Sequence, residues 1–309
     1  MTPLAAINTI GQCATLACVL EVTAPKPGNV HRGADFEELR FLDFLVSATR
    51  IGPVMERAVE RGVGATVFDA IHATREMVPT NTNLGIVLLL APLAAVPRHG
   101  SLREGVAEVL SVMTPQDAEW VYRAIALANP GGMGKVESMD VADAAPPSLL
   151  AAMRAAQSRD MVARQYACNY EDVFEHLVPW LREGCDAGWP LTAAIVHAQL
   201  RCLSRFPDSL IARKCGEKTA QQAADRASNV LQSGTPLEEP YERALADFDF
   251  WLRCDGHRRN PGTTADLLTA GLFVLLTAIN TDECVPRSPV AESVSICRIV
   301  MNQRCTAAS

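Results

Sequence analysis

A polar loop leads into an apolar helix at Asn260-Pro261-Gly262-Thr263-Thr264-Ala265-Asp266-Leu267-Leu268. The proline and the glycine end the preceding element, and either threonine can cap the helix that follows. Asp266 falls in the first turn, where the positive end of the helix dipole favours a carboxylate. Because residues 267–279 are almost wholly apolar, the pattern predicts a core helix with an acid at its mouth. Such a helix start can hold a phosphate or a metal ion carrying one; the alternative is an ordinary capped helix.

The composition favours helices packed on helices. Of 309 residues, 49% are apolar and only 6% are aromatic, and Ala and Leu, both good helix formers, are abundant. No alternation typical of strands and no fixed-period repeat is present, and no linker is long or polar enough to separate domains. We therefore predict an all-α fold, with residues 1–309 forming a single compact domain of about twelve helices and a C-terminal tail at 281–309.

Charge and cysteine usage exclude several classes of protein. The net charge of −7 argues against a nucleic-acid binder, which would need a basic face. The longest apolar runs, residues 84–96 and 267–279, are too short to span a bilayer, and the N-terminus lacks the pattern of a signal peptide. The ten cysteines include no CxxC pair, which is typical of reduced thiols in a cytoplasmic protein and disfavours a structural zinc site.

Three further polar stretches are candidate ligand sites. A stiff loop at residues 25–32 carries Lys26, His31 and Arg32, which indicates either anion binding or a solvated connection. Residues 80–85 place Asn81 and Asn83 before an apolar run, where they can cap a helix or offer amides to phosphate and ribose. Residues 206–216 combine an acid, Asp208, with the adjacent cations Arg213 and Lys214. A glycine-rich loop at 129–135 is either a lid over a ligand or a surface connection.

Four of these stretches follow one another in the order found in a known enzyme family. They are Pro25-Lys26-Pro27-Gly28-Asn29-Val30, Asn81-Thr82-Asn83-Leu84-Gly85, Asp208-Ser209-Leu210 through Gly216, and Pro261-Gly262-Thr263-Thr264-Ala265-Asp266-Leu267-Leu268. In this order they resemble the triphosphoribosyl-dephospho-coenzyme A synthase family, and the resemblance covers about residues 15–280. Each stretch alone is a weak signal, whereas four in order are fairly specific.

The resemblance implies an all-helical transferase that uses ATP and 3′-dephospho-coenzyme A. Members of that family join the triphosphoribosyl group of ATP to the ribose 2′-hydroxyl of the acceptor and release adenine. Magnesium is expected with the triphosphate. The expected partners are small-molecule nucleotides, with no nucleic acid and no membrane, and a homodimer is the assembly to test.

The chain departs from the family pattern within three of the four motifs. The first motif usually has Leu and Asp where Asn29 and His31 stand, and the second usually has His and Lys at Asn83 and Leu84. The third usually reads DTN followed by HRGG; here the differing residues are Ser209, Leu210, Arg213, Lys214 and Cys215. A lysine that could contact phosphate is thus absent, and Arg213 and Lys214 are the candidates to replace it. This is the pattern of a divergent branch, so a different acceptor, in cofactor or methanopterin-linked one-carbon metabolism, is an alternative.

Family chemistry assigns roles to particular residues. The reaction would be a displacement at the anomeric carbon of a nucleotide ribose, through an oxocarbenium-like transition state. Asp208 and Asp266 are expected to bind Mg²⁺ or to act as the base toward the attacking hydroxyl. Phosphate and ribose contacts are expected from Lys26, Asn29, His31, Asn81, Asn83, Arg213 and Lys214. Two rival classes remain: a Mg²⁺-dependent ribose-phosphate N-glycosidase or ADP-ribose hydrolase, and a non-catalytic nucleotide-binding scaffold.

Overall fold

The computed structural model describes residues 9–130 and 145–280 and is all-α, as predicted. Its helices are α1 (Ile10–Thr23), α2 (Phe41–Met55), α3 (Ala58–Arg61), α4 (Val63–Arg75), α5 (Leu84–Ala94), α6 (Leu102–Ser111), α7 (Pro115–Ala128), α8 (Leu149–Ala156), α9 (Met161–Ala167), α10 (Val178–Asp186), α11 (Leu191–Arg205), α12 (Ser209–Cys215), α13 (Glu217–Gln232), α14 (Glu239–Arg253) and α15 (Gly262–Asn280). A π-helical segment, Val173–Leu177, precedes α10. Within the described residues there is no strand, apart from an isolated β-bridge between His31 and Ala34. Most of the predicted glycine-rich loop and the predicted C-terminal tail at 281–309 lie outside the described residues.

The predicted core helix is confirmed in α15, which runs through the middle of the fold. From residue 263 to residue 277, every residue except Asp266 is buried, as expected for a helix that is apolar around its whole circumference. It packs against α1, α5, α11 and the π-helical segment. Its buried Thr269 and Thr277 donate their hydroxyls to carbonyl oxygens four residues earlier, so neither brings an unpaired donor into the core.

The second apolar helix, α5, contains a proline that two buried tyrosines accommodate. Pro92 has no N–H to donate to the carbonyl of Leu88, which would be left unpaired in the core. The Tyr166 hydroxyl donates to that carbonyl at 2.7 Å, and the Tyr170 hydroxyl donates to the carbonyl of Leu89 at 2.8 Å. These hydrogen bonds tie α9 and the residues after it to α5, and so hold one wall of the interior in place.

Two further sequence predictions concern the membrane and the thiols. Of the helices in residues 9–130 and 145–280, none is long and apolar enough to cross a membrane. The cysteines in these segments form no disulfide, and four of them are buried: Cys13, Cys18, Cys185 and Cys202.

Candidate active site

The four motif stretches meet around one cavity of about 880 Å³. Residues 29–30, 81–85, 210–214 and 260–266 all contribute to its lining, and α7, α8 and α9 complete the walls. Sites for small molecules and cofactors usually have volumes of about 300–1,000 Å³. The cavity is therefore of a suitable size for a ligand, and it brings together the sequence motifs that predicted one.

Asp266 extends from the second turn of α15 toward the first turn of α5. Because α15 begins at Gly262, the prediction that this acid lies in the first turn is wrong. A Cβ atom added to Gly85 would lie 2.0 Å from Oδ2 of Asp266, so only glycine at position 85 permits this approach. The first-turn N–H groups of α5 carry partial positive charge, which favours a carboxylate there. Within the described part of the chain, Asp266 has no hydrogen-bond or ion-pair partner.

The surroundings of Asp266 shift its protonation. Burial raises its pKa well above the usual value for an aspartate, and the carboxylates of Glu21, Asp208 and Asp160 raise it further, while Arg213 acts in the opposite direction. Low hydration and nearby like charge both disfavour the ionised form. A carboxyl group with a raised pKa beside a cavity is typical of a functional site.

The two asparagines before α5 border the cavity, and each already makes one hydrogen bond. Oδ1 of Asn81 accepts from the N–H of Leu84 at 3.1 Å and so caps the helix. Nδ2 of Asn83 donates to the hydroxyl of Thr74 at 3.0 Å. In the described residues, the amide NH₂ of Asn81 and the amide oxygen of Asn83 have no partner, so these are the groups that a ligand can use.

Within the described segments, four cationic side chains line the cavity: Arg75, Arg159, Arg213 and Lys214. Nη1 of Arg213 lies 2.8 Å from Oδ2 of Asp160, and Arg75 donates to the carbonyl of Pro79. The side chains of Arg159 and Lys214 have no ion-pair partner among the described residues. These cations can bind the phosphates of a ligand, and five acids line the same cavity: Glu21, Glu38, Asp160, Glu217 and Asp266.

Asp208 does not line the cavity, and hydrogen bonds occupy both of its oxygens. Oδ1 accepts from the N–H groups of Leu210 and Ile211 at 2.8 and 3.0 Å, and Oδ2 accepts from the N–H and the hydroxyl of Thr264, both at 2.7 Å. Burial raises its pKa, and these hydrogen bonds oppose that rise. Asp208 thus caps α12 and holds the start of α15. Because α15 begins at Gly262, Thr263 and Thr264 both lie inside its first turn, and the prediction that one of them caps this helix is wrong. This placement argues against the predicted roles of Asp208 in metal binding and proton transfer.

Lys26 and His31 of the first motif also lie away from the cavity. Lys26 is fully buried, and its Nζ lies 2.9 Å from Oε1 of Glu21 and also donates to the Glu21 carbonyl. A buried lysine needs such a partner, so it is not free to bind phosphate. His31 is half-buried outside the cavity, where its Nδ1 accepts from the N–H of Gly33 at 3.1 Å. The first motif contributes Asn29 and Val30 to the cavity, and neither Lys26 nor His31.

A family model matches residues 7–283, nearly the whole chain, and it describes the CitG family, ATP:dephospho-CoA triphosphoribosyl transferase. The chain belongs to this family. It is therefore an enzyme of the transferase class, and the predicted family resemblance is confirmed. A search of curated proteins finds no match.

Among solved structures, a candidate triphosphoribosyl-dephospho-coenzyme A synthase from Archaeoglobus fulgidus is similar to this CitG member. The TM-score is 0.57 at 24% sequence identity, and the match covers 74% of this chain and 96% of that chain. At this identity the likeness shows a shared fold, which agrees with the all-α prediction.

Several polar cavity residues of this CitG member were not predicted as site residues, among them Glu21, Arg75, Arg159, Asp160 and Asn260. In the sequence, Arg159 and Asp160 resemble part of a solvated helix face. Their place in the cavity was missed because Asp160 pairs with Arg213, which is 53 residues away in the sequence. The available signal was Asp160 before Met161, which fits a helix cap. The signal for Glu21 was Lys26 five residues later, which in the fold is its buried partner.

Proposed function

We propose that this protein transfers the triphosphoribosyl group of ATP to the ribose 2′-hydroxyl of 3′-dephospho-coenzyme A and releases adenine. The observation that carries the proposal is the meeting of the four family motifs around one cavity, where Asp266 is unpaired among the described residues and cations line the same walls. A polyanionic nucleotide and a carboxylate-assisted displacement both need this combination of charges.

The proposed reaction is a single exchange of bonds at the anomeric carbon of ATP. The acceptor 2′-oxygen forms a bond to C1′, and the bond from C1′ to adenine breaks, with its electron pair leaving on the base. Adenine gains a proton, and the acceptor hydroxyl loses one. The transition state has oxocarbenium character, as in glycoside hydrolysis, so nearby negative charge stabilises it.

The positive residues are assigned to the triphosphate. Arg159 and Lys214, whose side chains have no ion-pair partner in the described segments, would contact it directly. Arg213 would do so by exchanging Asp160 for a phosphate oxygen. The free amide groups of Asn81 and Asn83 would orient ribose or phosphate oxygens. With the triphosphate held by these residues, C1′ of the ribose would lie near Asp266.

A Mg²⁺ ion is expected with ATP. The cavity residues fit an ion that takes most of its ligands from the triphosphate and from water. In the described residues, no three His, Cys, Asp or Glu side chains converge as a metal site. Magnesium in nucleotide sites usually needs only one or two carboxylates besides phosphate and water. Asp266 would hold the ion. Glu21 lies close enough to raise the pKa of Asp266. Bound there, Mg²⁺ would offset the charge of the triphosphate.

Asp266 therefore has two assignable roles: it takes the proton of the acceptor hydroxyl, or it holds the ion. Both roles place it at the reacting end of the cavity, and both require a carboxylate. Measurement of ATP binding with and without Mg²⁺ separates them, because only the second role makes Mg²⁺-dependent binding sensitive to Asp266.

The direct test is incubation of the protein with ATP and Mg²⁺, followed by detection of adenine by liquid chromatography and mass spectrometry. We expect adenine only when 3′-dephospho-coenzyme A is present, together with a product whose mass has gained the triphosphoribosyl group. Adenine release without an acceptor would instead indicate an N-glycosidase. Release only with another acceptor, such as a pterin, would keep the transferase and replace the substrate.

A further inference from the structure

A chain of three side-chain amides leads from the core to the cavity. Gln199 on α11 is fully buried, and its Nε2 donates to Oδ1 of Asn29 at 2.7 Å and to the carbonyl of Pro27 at 3.4 Å. Nδ2 of Asn29 then donates to Oδ1 of Asn260 at 2.6 Å. Asn29 and Asn260 line the cavity, whereas Gln199 does not. The three amides thus connect a core residue to the ligand space.

The direction of this chain follows from its buried end. A side-chain amide can be turned so that its oxygen and nitrogen exchange places, and hydrogen-bond partners decide the orientation. The carbonyl of Pro27 can only accept, so Gln199 must present its NH₂ group on that side. Asn29 must then present its oxygen to Gln199 and its NH₂ group to Asn260. Asn260 is left with its oxygen engaged and its NH₂ group available for a ligand.

The surrounding loop is held firmly enough to maintain this order. Gly28 has a φ of +75°, and an added Cβ would lie 2.8 Å from Leu252, so glycine is required there. Its N–H donates to Oδ1 of Asp249 at 2.7 Å, and Arg253 donates to the main-chain carbonyl of Asn29 at 2.7 Å. With α14 fixing the loop on both sides of the Asn29 amide, Asn29 has little freedom to move away from its two neighbours.

We propose that Asn260 is a substrate-binding residue that donates a hydrogen bond to an acceptor atom of the bound nucleotide, and that Gln199 is a positioning residue that sets this polarity through Asn29. In the described residues, the Asn260 NH₂ group has no partner, and Asp266 lies six residues further along the same stretch. The nature of the ligand rests on the proposed function. Either substrate could carry the acceptor atom, since ATP and dephospho-coenzyme A both have phosphate and ribose oxygens.

Two substitutions at Asn260 test the donor itself. Asn260→Ala removes the hydrogen bond, and we expect KM for one substrate to rise about 5-fold. Asn260→Asp keeps the shape but presents only acceptor oxygens, and we expect a rise of about 30-fold or more, because an acceptor would face an acceptor. The substrate whose KM rises carries the contacted atom. An unchanged KM for both substrates in Asn260→Asp would overturn the proposal.

Substitution of Gln199 tests whether the polarity is transmitted. Gln199→Glu offers only acceptors when ionised, so Asn29 would turn, and Asn260 would turn in response and present its oxygen to the ligand. We expect KM to rise about 10-fold in the parent protein and less than about 2-fold further in the Asn260→Ala background, where no donor remains to be reversed. A role confined to stability would produce the same KM change in both backgrounds, and that result would overturn the relay.

A second variant covers the case in which a buried glutamate prevents folding. Gln199→Met is similar in size and cannot donate, so both orientations of Asn29 and Asn260 become accessible. We expect KM to rise about 2-fold in the parent background and to stay unchanged in Asn260→Ala. An unchanged KM in both backgrounds, with the thermal unfolding midpoint showing a folded protein, would overturn the role of Gln199.

Calorimetric binding of ATP and of dephospho-coenzyme A, each alone, keeps this inference separate from the proposed reaction. If the parent protein binds a nucleotide but releases no adenine with any acceptor, the proposed function fails, and the Kd values of the same variants still decide the role of Asn260. If adenine is released and neither Kd nor KM responds to Asn260→Asp, the inference fails and the proposed function stands.

Discussion

Oδ2 of Asp208 accepts hydrogen bonds from both the main-chain N–H and the hydroxyl of Thr264, each 2.7 Å long. Its other oxygen caps α12, so one carboxylate fixes the starts of two helices. Those helices carry Arg213 and Asp266 into the cavity. The relative positions of a cation and an acid at the candidate active site therefore depend on a buried residue that does not border the cavity.

Replacement of Asp208 tests this structural role. Asp208→Asn puts an NH₂ group where one oxygen now accepts hydrogen bonds, so at least one donor of α12 or α15 loses its partner. We expect the free energy of unfolding to fall by about 2 kcal/mol, as for loss of a helix cap and a buried hydrogen bond. Urea denaturation measures this. The exposed Asp247 supplies the control Asp247→Asn, and equal midpoints for the two variants would contradict the role.

The close approach of α5 and Asp266 predicts intolerance at position 85. In Gly85→Ala the new methyl group would overlap Oδ2 of Asp266, so the carboxylate or α5 must move. We expect a loss of stability of about 1–3 kcal/mol and a fall in the rate of adenine release of at least about 10-fold. Gly33→Ala is the matched control, since its added Cβ would lie no closer than 3.4 Å to the nearest neighbouring atom. A Gly85→Ala protein as active as Gly33→Ala would disprove the contact.

Arg159 and Arg154 form a pair that separates cavity charge from surface charge. Both are exposed, but only Arg159 lines the cavity. Because charge-assisted hydrogen bonds to phosphate are strong, we expect Arg159→Ala to raise KM for ATP about 10-fold and Arg154→Ala to leave it unchanged. Steady-state kinetics at constant ionic strength would show the difference. Similar KM values for the two variants would remove Arg159 from the triphosphate site.

The half-buried imidazole of His197 predicts a loss of stability in mild acid. Burial lowers its pKa to about 4, with Arg201 adding to the effect and Glu183 opposing it, while its Nδ1 lies 3.1 Å from the Tyr241 hydroxyl. In the unfolded chain the ring takes up a proton near pH 6.5, so below that pH the unfolded state binds more protons than the folded state. Stability should therefore be fully present above pH 6.5 and decline as pH falls toward 4.

Urea midpoints at pH 7.5 and pH 5 measure this decline. The loss due to His197 should be at most about 2 kcal/mol, and less where solvent reaches the ring. His197→Gln should reduce the difference between the two midpoints, and His99→Gln, at an exposed histidine, should leave it as in the parent. If His197→Gln retained the whole pH dependence, other groups would be responsible.

Patterns in the sequence predicted those features of the fold that depend on residues close together in the chain. The apolar run after Asp266 made α15 recognisable as a core helix. Asp266 does line the cavity, but α15 begins four residues before it, at Gly262, so this acid lies in the second turn and not in the first. Contacts between residues that are distant in sequence could not be predicted from these patterns. The residues around Lys26 in the sequence do not show that it forms a buried ion pair with Glu21. The ion pair between Arg213 and Asp160 forms only where α12 packs beside the start of α9.

Asp266→Asn separates stability from function and also separates the two roles of this carboxylate. Because Asp266 is partly buried with no hydrogen-bond or ion-pair partner in the described residues, a neutral amide should leave the free energy of unfolding equal or higher. If Asp266 holds Mg²⁺, the substitution should abolish the Mg²⁺-dependent part of ATP binding in calorimetry. If it takes the hydroxyl proton, ATP binding should be unchanged with and without Mg²⁺.

The most direct test of the central claim is the rate of adenine release from ATP in the presence of Mg²⁺ and 3′-dephospho-coenzyme A. This rate is compared among the parent, Asp266→Asn and the exposed control Asp247→Asn. We predict that the parent and Asp247→Asn release adenine at the same rate, and that folded Asp266→Asn is slower by at least about 100-fold. Adenine release by Asp266→Asn at the parent rate, with an unfolding midpoint that shows an intact fold, would contradict the assignment of this cavity as the active site.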